Sequence, residues 1–393
     1  MLSLLFIVVG ILLFLQLKNK LLAFLFIVSA EFYFPAYDLR NLDFAQNLFV
    51  SGIVSDYTYY LIFGLVIWLS IIVILLIDNQ IESNIVRNTN FVSQYNYFEN
   101  RLILTFYLLY FLSISAFLIN FSRVDFSYSL LVLNPREYEY TFGSSTFWNY
   151  LYFLNIPAIC CYIFIRVKFN RLTKKINLVL VFILFLVSFF HGIKFTVFDT
   201  FIFPVFFYYY ASLKPLKFKN ILLISIVLFA FYLSFSYLIR GSGGSPFEQL
   251  ISYILPNYYN LAYSIQENKI QWSGLSLFLP DKIPDIFAQL YEYGPTGFAL
   301  NEKFNMQTAY SNYYSFANIL GPLVFLSLVT FIRLLFRNKF RKGIFQAFFL
   351  AYIDYCLLFV FFFHAFNKTK YIYYLAVLIF IHIITRKRKS LKI

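Results

Sequence analysis

The sequence predicts an all-α polytopic membrane protein with about eleven spanning helices, and three observations carry that prediction. Apolar residues make up 61% of the 393-residue chain and charged residues only 13%; a soluble globular protein is about half apolar and about a quarter charged. The apolar residues come in runs of about 20, the length that crosses a hydrocarbon core. Lysine and arginine alternate from loop to loop, as they do when short cytoplasmic loops collect positive charge. With 54 Phe and 34 Tyr, the apolar surface exceeds what a water-soluble core of this size hides.

The runs place spans near 2–17, 21–36, 58–77, 102–121, 147–165, 176–193, 195–213, 220–239, 312–332, 343–363 and 369–385. The first two are short, and a very tight turn joins the pair over 176–213. The first run starts at Met1 without a basic n-region or a small-residue cleavage site, and reads as a retained helix.

With the N-terminus outside and the C-terminus cytoplasmic, the inner segments hold Lys18 and Lys20; Arg87 and Arg101; Arg166, Lys168, Arg171, Lys174 and Lys175; Lys214, Lys217 and Lys219; Arg333, Arg337, Lys339, Arg341 and Lys342; and Arg386 to Lys389 with Lys392. These are 22 of the 32 basic residues, and the reverse orientation would strand all of them outside. The net charge of +14 is thereby read as topology signals and contacts to membrane lipids, and nucleic acid is not an expected partner. Only Asp78, Glu82 and Glu99 among the acids fall inside; most others face outward in 37–57, 122–146 and 240–311. No internal repeat or soluble domain is visible, so a single transmembrane domain covers 1–393. The long outer loop 240–311 is expected to fold over it as a lid with short helices such as 246–266.

Charges at membrane depth are costly and mark candidate sites. In His191-Gly192-Ile193-Lys194, followed by Thr196 and Asp199, Lys194 reads either as a snorkelling lysine or as an outer cation for an anionic ligand, with Asp199 as its partner. Arg240-Gly241-Ser242-Gly243-Gly244-Ser245 offers free backbone N–H groups around Gly241 and Gly243, and a guanidinium fork, which together suit a phosphate. No Gly-Lys-Ser/Thr follows, so it is not a nucleotide loop. Glu248, just after it, could orient Arg240 or act as a base. Arg123, Asp125, Asn134-Pro135-Arg136-Glu137 and Glu139 read as a solvated surface, with Arg136 the exception near the bundle mouth. Tyr310-Ser311-Asn312-Tyr313-Tyr314 reads equally as an interfacial aromatic belt or as a sugar-binding surface. Cys160, Cys161 and Cys356 lie in apolar stretches and read as packed helix residues; neither a metal site nor a disulfide framework is expected. Asp354 and His364 are about 15 Å apart along a helix axis, too far to pair.

In this order and spacing the chain resembles the O-antigen polymerases (Wzy-type oligosaccharide repeat-unit polymerases), which are related to the O-antigen ligases. Three segments carry the resemblance: HGIKFTVFDTFIFPV at 191–205, YLIRGSGGSPFEQLISYILPNYYNL at 237–261, and YSNYYSFANILGPLVFL at 310–326. Lys194 stands where such proteins usually carry arginine, and no histidine precedes Asn312 where the ligases place one. The resemblance implies a GT-C-like bundle in a bacterial cytoplasmic (inner) membrane. It implies a glycosyltransferase that polymerises undecaprenyl-diphosphate-linked oligosaccharide on the outer face, for O-antigen or capsule-type polysaccharide. Arg240 and Lys194 would then stabilise the departing diphosphate, with Arg136 third and Glu248 as base, Glu137 behind it. Tyr258, Tyr259, Asn312 and Tyr313 would line the glycan path. An already activated lipid diphosphate requires no cofactor, neither nucleotide nor metal. A chain-length regulator is compatible as a partner.

Two other classes remain open at this point. A flippase for the same lipid-linked unit would show two similar halves and a charged central cavity. A transferase using a polyprenyl-phosphate sugar donor would carry an acidic pair in its first outer loop, where Asp38 and Asp43 stand.

Overall fold

In the computed structural model the described residues are 2–17, 20–31, 33–39, 56–86, 97–124, 146–191, 194–212, 246–267, 309–339, 343–360 and 369–387. They form α1 (Leu2–Gln16), α2 (Lys20–Glu31), α3 (Tyr33–Asp38), α4 (Thr58–Val86), α5 (Glu99–Phe121), α6 (Thr146–Tyr152) and α7 (Asn155–Phe169). These are followed by α8 (Lys175–Phe190), α9 (Lys194–Ser212), α10 (Pro246–Gln266), α11 (Ala309–Ala317), α12 (Gly321–Lys339), α13 (Ile344–Leu358) and α14 (Thr369–Thr385). The described residues contain no strand beyond an isolated bridge between Tyr97 and Arg386. The span expected near 220–239 lies outside the described residues.

The chain is an all-α protein with the apolar helices of a membrane protein. Four helical segments, Thr58–Gln80, Glu99–Phe121, Phe147–Phe169 and Tyr310–Phe336, are long and apolar enough to cross a membrane. Shorter apolar helices run over Ser3–Gln16, Lys175–Ser188, Ile344–Leu358 and Lys370–Thr385. Their outward faces are as greasy as their inward ones: Leu4, Leu12 and Leu15 on α1, Leu104, Leu108 and Phe111 on α5, and Phe380 and Ile383 on α14 are all exposed. Water does not tolerate continuous apolar stripes of this kind, and lipid does.

Two helix breaks have local causes. Pro157 is the third residue of α7. Proline there has no N–H to return to the preceding turn, so α7 starts afresh instead of continuing from α6. The second break separates α11 from α12, where Asn318 has φ 50° at the start of the 3-10 turn Asn318–Leu320. A Cβ on Gly321 would sit 1.7 Å from the Tyr313 carbonyl oxygen, so only glycine lets the two backbones approach this closely. At the far end of α7, Asn170 adopts the left-handed conformation (φ 53°) and returns its N–H to Arg166.

The chain divides into two compact units. Unit 1 comprises residues 1–91, 243–334 and 356–369; unit 2 comprises 92–242, 335–355 and 370–393. Each has two distinguishable ends. In unit 2 one end gathers the basic segments: Arg171 pairs with Glu99 at 2.7 Å, Arg101 donates to the Ile384 carbonyl at 3.2 Å, and the Phe98 N–H reaches the Thr385 carbonyl at 2.8 Å. Tyr97 and His382 share a 2.8 Å hydrogen bond there, and the Ile344 N–H donates to the Tyr97 hydroxyl at 3.2 Å. The opposite end joins Asn120 to Asn149 at 3.0 Å, Tyr150 to Tyr373, Tyr152 to His191 and Asp199 to Lys370. In unit 1, Asp78 and Arg333 meet at 3.8 Å, both side chains almost fully buried. The other end of that unit brings together α3, the start of α4, α10 and α11, through Tyr33, Tyr60, Tyr258 and Tyr310.

Candidate functional site

The non-basic end of unit 1 is built from aromatic side chains. Tyr33 and Tyr60 stack at 4.2 Å, and each hydroxyl donates to the other's backbone carbonyl at 2.9 Å. That exchange satisfies two hydroxyls and two carbonyls at once, which a buried pair requires. Tyr258 meets the Tyr33 ring edge-on at 5.5 Å, Tyr310 does so at 6.1 Å, and Tyr313 stacks on Phe325 at 4.1 Å. The Tyr259 hydroxyl donates to the Ala36 carbonyl at 2.9 Å. Gly64 lets α4 lie against this cluster, since a Cβ there would come within 2.6 Å of the Tyr33 ring.

α10 is docked into this cluster. Its residues Leu255 to Ala262 are all buried, including Asn257 and Asn260. Its C-terminal end is tied to the start of α4, where the Asp56 N–H donates to Gln266 at 3.3 Å. The Asp56 carboxylate in turn accepts the Thr58 N–H at 2.8 Å as a side-chain cap, and this hydrogen bond lowers its pKa. The helix expected at 246–266 inside the outer loop is thus a packed element, with Pro256 accommodated in its interior.

The structure therefore brings Tyr258, Tyr259, Asn312 and Tyr313 into one unit on neighbouring elements. Tyr258, Tyr259 and Tyr313 are buried among other rings, and Asn312 is half-buried. In this arrangement the three rings contact protein, and a pyranose would have to displace a ring to reach them. Burial pushes the Tyr258 hydroxyl pKa well above the usual tyrosine value, so it is a neutral donor there, not a base. That hydroxyl is buried with no hydrogen-bond partner among the described residues. An unsatisfied buried hydroxyl is a cost, so Tyr258→Phe is expected to leave the stability unchanged or raise it by about 1 kcal/mol. A melt of the purified variant checks this; a drop of several degrees would show that the hydroxyl has a partner.

Unit 2 holds a second constellation. Asp199 of α9 is fully buried and ion-paired with Lys370 Nζ at 2.7 Å. Its other oxygen accepts the Tyr371 hydroxyl at 3.1 Å and that of Tyr355. Tyr371 is also within 3.2 Å of the Tyr355 hydroxyl. Tyr355 stacks on Phe203 at 4.4 Å, and the Lys370 ammonium lies 4.8 Å from the Tyr371 ring centre. A buried carboxylate is tolerated only when paired and hydrogen-bonded, and here a lysine and two phenols from α13 and α14 do both. Beside it, Ser188 and Thr200 share a 2.9 Å hydrogen bond, Asn155 donates to Ser188 at 3.2 Å, and His191 stacks on Tyr152 at 4.4 Å. These polar contacts tie α6, α7, α8 and α9 together. Asp354 accepts the Tyr210 hydroxyl.

Several sequence-level candidates are not placed. Arg240, Gly241, Gly243 and Arg136 lie outside the described residues, as do Glu137 and His364. Lys194 is the first residue of α9 and Glu248 is in the first turn of α10, and their side chains are outside the described set. One pairing is corrected: Asp199, expected to serve Lys194, has its carboxylate engaged by Lys370, Tyr355 and Tyr371. Lys370 carries no local signal, because it stands 171 residues from Asp199. The acidic residue of the rival donor reading, Asp38, accepts the Ser3 N–H at 3.2 Å. The cysteines are free and buried.

No protein family, curated protein or solved structure matches the chain.

Proposed function

We propose that the chain is a membrane glycosyltransferase that polymerises undecaprenyl-diphosphate-linked oligosaccharide on the outer face of a bacterial cytoplasmic membrane. It would cross that membrane about eleven times. The observation that carries the reading is the docking of α10. The segment following Arg240 and its glycines is a helix buried against α3, α4 and Tyr310, which all belong to ends that the charge pattern puts outside. A plain linker or a minimal transporter loop has no reason to bury a tyrosine- and asparagine-bearing helix there. The sorting of contacts in both units supports the same topology. Asp78 meets Arg333 and Glu99 meets Arg171, and all four stand at ends assigned to the inside.

In this reading an acceptor sugar hydroxyl attacks the anomeric carbon of the donor glycan. The bond from that carbon to the diphosphate oxygen breaks, and the diphosphate leaves with the electron pair. The hydroxyl proton passes to a carboxylate, for which Glu248 is the candidate. The protein's main contribution is positive charge aimed at the oxygens where negative charge develops, from Arg240 and Lys194, with Arg136 in support.

Arg240→Ala is expected to reduce polymer formation by about 10²- to 10³-fold while protein level and membrane insertion stay unchanged. Gel separation of surface polysaccharide from complemented cells reads the result: a ladder collapsing to single repeat units. A normal ladder would count against the assignment. Deleting the gene separates a polymerase, which leaves single repeat units on the surface glycolipid, from a flippase, which leaves none.

A further inference from the structure

We propose that the basic end of unit 2 binds one anionic membrane phospholipid, with Arg101 and Lys387 holding its phosphate and the exposed apolar sides of α5 and α14 carrying its acyl chains. The site stands independently of the glycosyltransferase reading. It begins with the backbone: the Phe98 N–H reaches the Thr385 carbonyl at 2.8 Å, and Tyr97 bridges Arg386. These contacts fasten the start of α5 to the end of α14. Arg101, in the first turn of α5, donates to the Ile384 carbonyl at 3.2 Å and lies 4.4 Å from the centre of the Phe98 ring. Lys387, just past the end of α14, lies 5.4 Å from the centre of the same ring. Phe98 and both cations are exposed, so one ligand reaches all three.

Two like charges drawn to one ring repel each other, and the ring face offsets only part of that. Among the described residues no carboxylate is paired with either cation. The acid at this end, Glu99, is committed to Arg171 at 2.7 Å, and the flanking sequence, 92–96 and 388–393, contains no acid. Positive charge is therefore in surplus where the two helices meet, and a phosphate offsets it. The apolar surface selects the kind of phosphate. Arg101 heads a row on α5, Leu104, Leu108 and Phe111, spaced about a turn apart and each more than half exposed. Lys387 heads a second row on α14, Ile383 and Phe380, exposed to the same degree. From Arg101 to Phe111 is about 15 Å along the axis, the depth of one leaflet of a hydrocarbon core about 30 Å thick. A soluble phosphate gains nothing from these rows, whereas a phospholipid engages the cations and the rows together. A topology signal needs only positive charge in a loop; it does not require two cations to share one ring at the head of two such rows.

The test uses the purified full-length protein in phosphatidylcholine nanodiscs, with phosphatidylglycerol added in steps and glycerol phosphate as the soluble probe. Melting temperature and the lipid retained in native mass spectrometry are the readouts. Wild type is expected to gain melting temperature saturably with phosphatidylglycerol, to retain that lipid, and to ignore glycerol phosphate. Lys387→Gln should weaken the phosphatidylglycerol response about 5-fold, and Lys387→Gln with Arg101→Gln about 30-fold. Lys387→Arg should keep it near wild type. The control, Lys174→Gln with Lys175→Gln, removes two exposed charges close after Arg171 and should leave the response unchanged. Arg101→Gln also gives up the bond to the Ile384 carbonyl, so melts in pure phosphatidylcholine report folding. If the double variant is already unfolded there, Lys387→Gln, which removes only a ring contact, decides by itself. Equal losses in the control would reveal diffuse surface charge and overturn the inference. So would a response to glycerol phosphate that matches the lipid's, or a wild type indifferent to phosphatidylglycerol.

Discussion

Replacing Arg333 by methionine is expected to lower the stability of the protein by about 3–5 kcal/mol, one of the two largest effects foreseen for a single substitution. Arg333 of α12 and Asp78 of α4 face each other at 3.8 Å, with side-chain exposures of 2% and 1%. Removing the guanidinium takes its nearby cation from a buried carboxylate, and the cost is that of a buried charge less well compensated more than of the lost attraction. The double variant Asp78→Leu with Arg333→Met should therefore recover most of the loss. Thermal melts of the four proteins, arranged as a double-mutant cycle, measure the coupling. An Arg333→Met protein that melts with wild type would show that the pair has no energetic role.

Gly321→Ala is expected to be comparably damaging, at about 3 kcal/mol or more, although it adds only one methyl group. The added carbon would lie 1.7 Å from the Tyr313 carbonyl oxygen and 2.4 Å from its carbonyl carbon. Both are backbone atoms, so no rotamer change relieves the clash, and the α11–α12 junction itself has to move. Tyr313 stacks on Phe325 and meets Tyr310, so the movement would loosen the aromatic cluster as well. A control at Gly343, where the nearest atoms belong to the side chains of Gln346, Tyr97 and His382, should be milder. Equal melting temperatures for Gly321→Ala and wild type would refute the close approach.

Much of the architecture was legible because its signals are local. The segment expected to be helical at 369–385 is α14 with those bounds, and the helix expected at 246–266 is α10. Run length and proline position are read without knowing any contact. Breaks within spans were harder. The division of 312–332 between α11 and α12 depends on Asn318 taking a left-handed conformation and on Gly321 meeting a backbone eight residues earlier. A hydropathy average over the same residues smooths Asn318 and Gly321 into one apolar run.

The candidate site was legible in its residue types and much less in its partners. Tyrosine and asparagine in a segment expected outside suit a sugar, but composition does not distinguish a ring that lines a groove from one wedged against Tyr33. Asp199 stood out as a charge at membrane depth, and the nearest cation in sequence, Lys194, was the natural partner to assign. The carboxylate instead meets Lys370, Tyr355 and Tyr371, whose helices are far away along the chain. Pairings of that range follow from tertiary packing, which one sequence does not display.

The distance between Asp199 and Lys370 has a consequence for biogenesis. The ribosome delivers the carboxylate 171 residues before its counter-ion, and at about 5–20 residues per second many seconds pass between the two. Throughout that interval the newly inserted chain holds an acid whose lysine has not yet been made, so it is held back from its final packing until the last helix arrives. A chain truncated before Thr369 should thus be recognised as unfinished and cleared by membrane proteases, even though every earlier helix is intact. α14 supplies the charge that the seventh expected span has been waiting for.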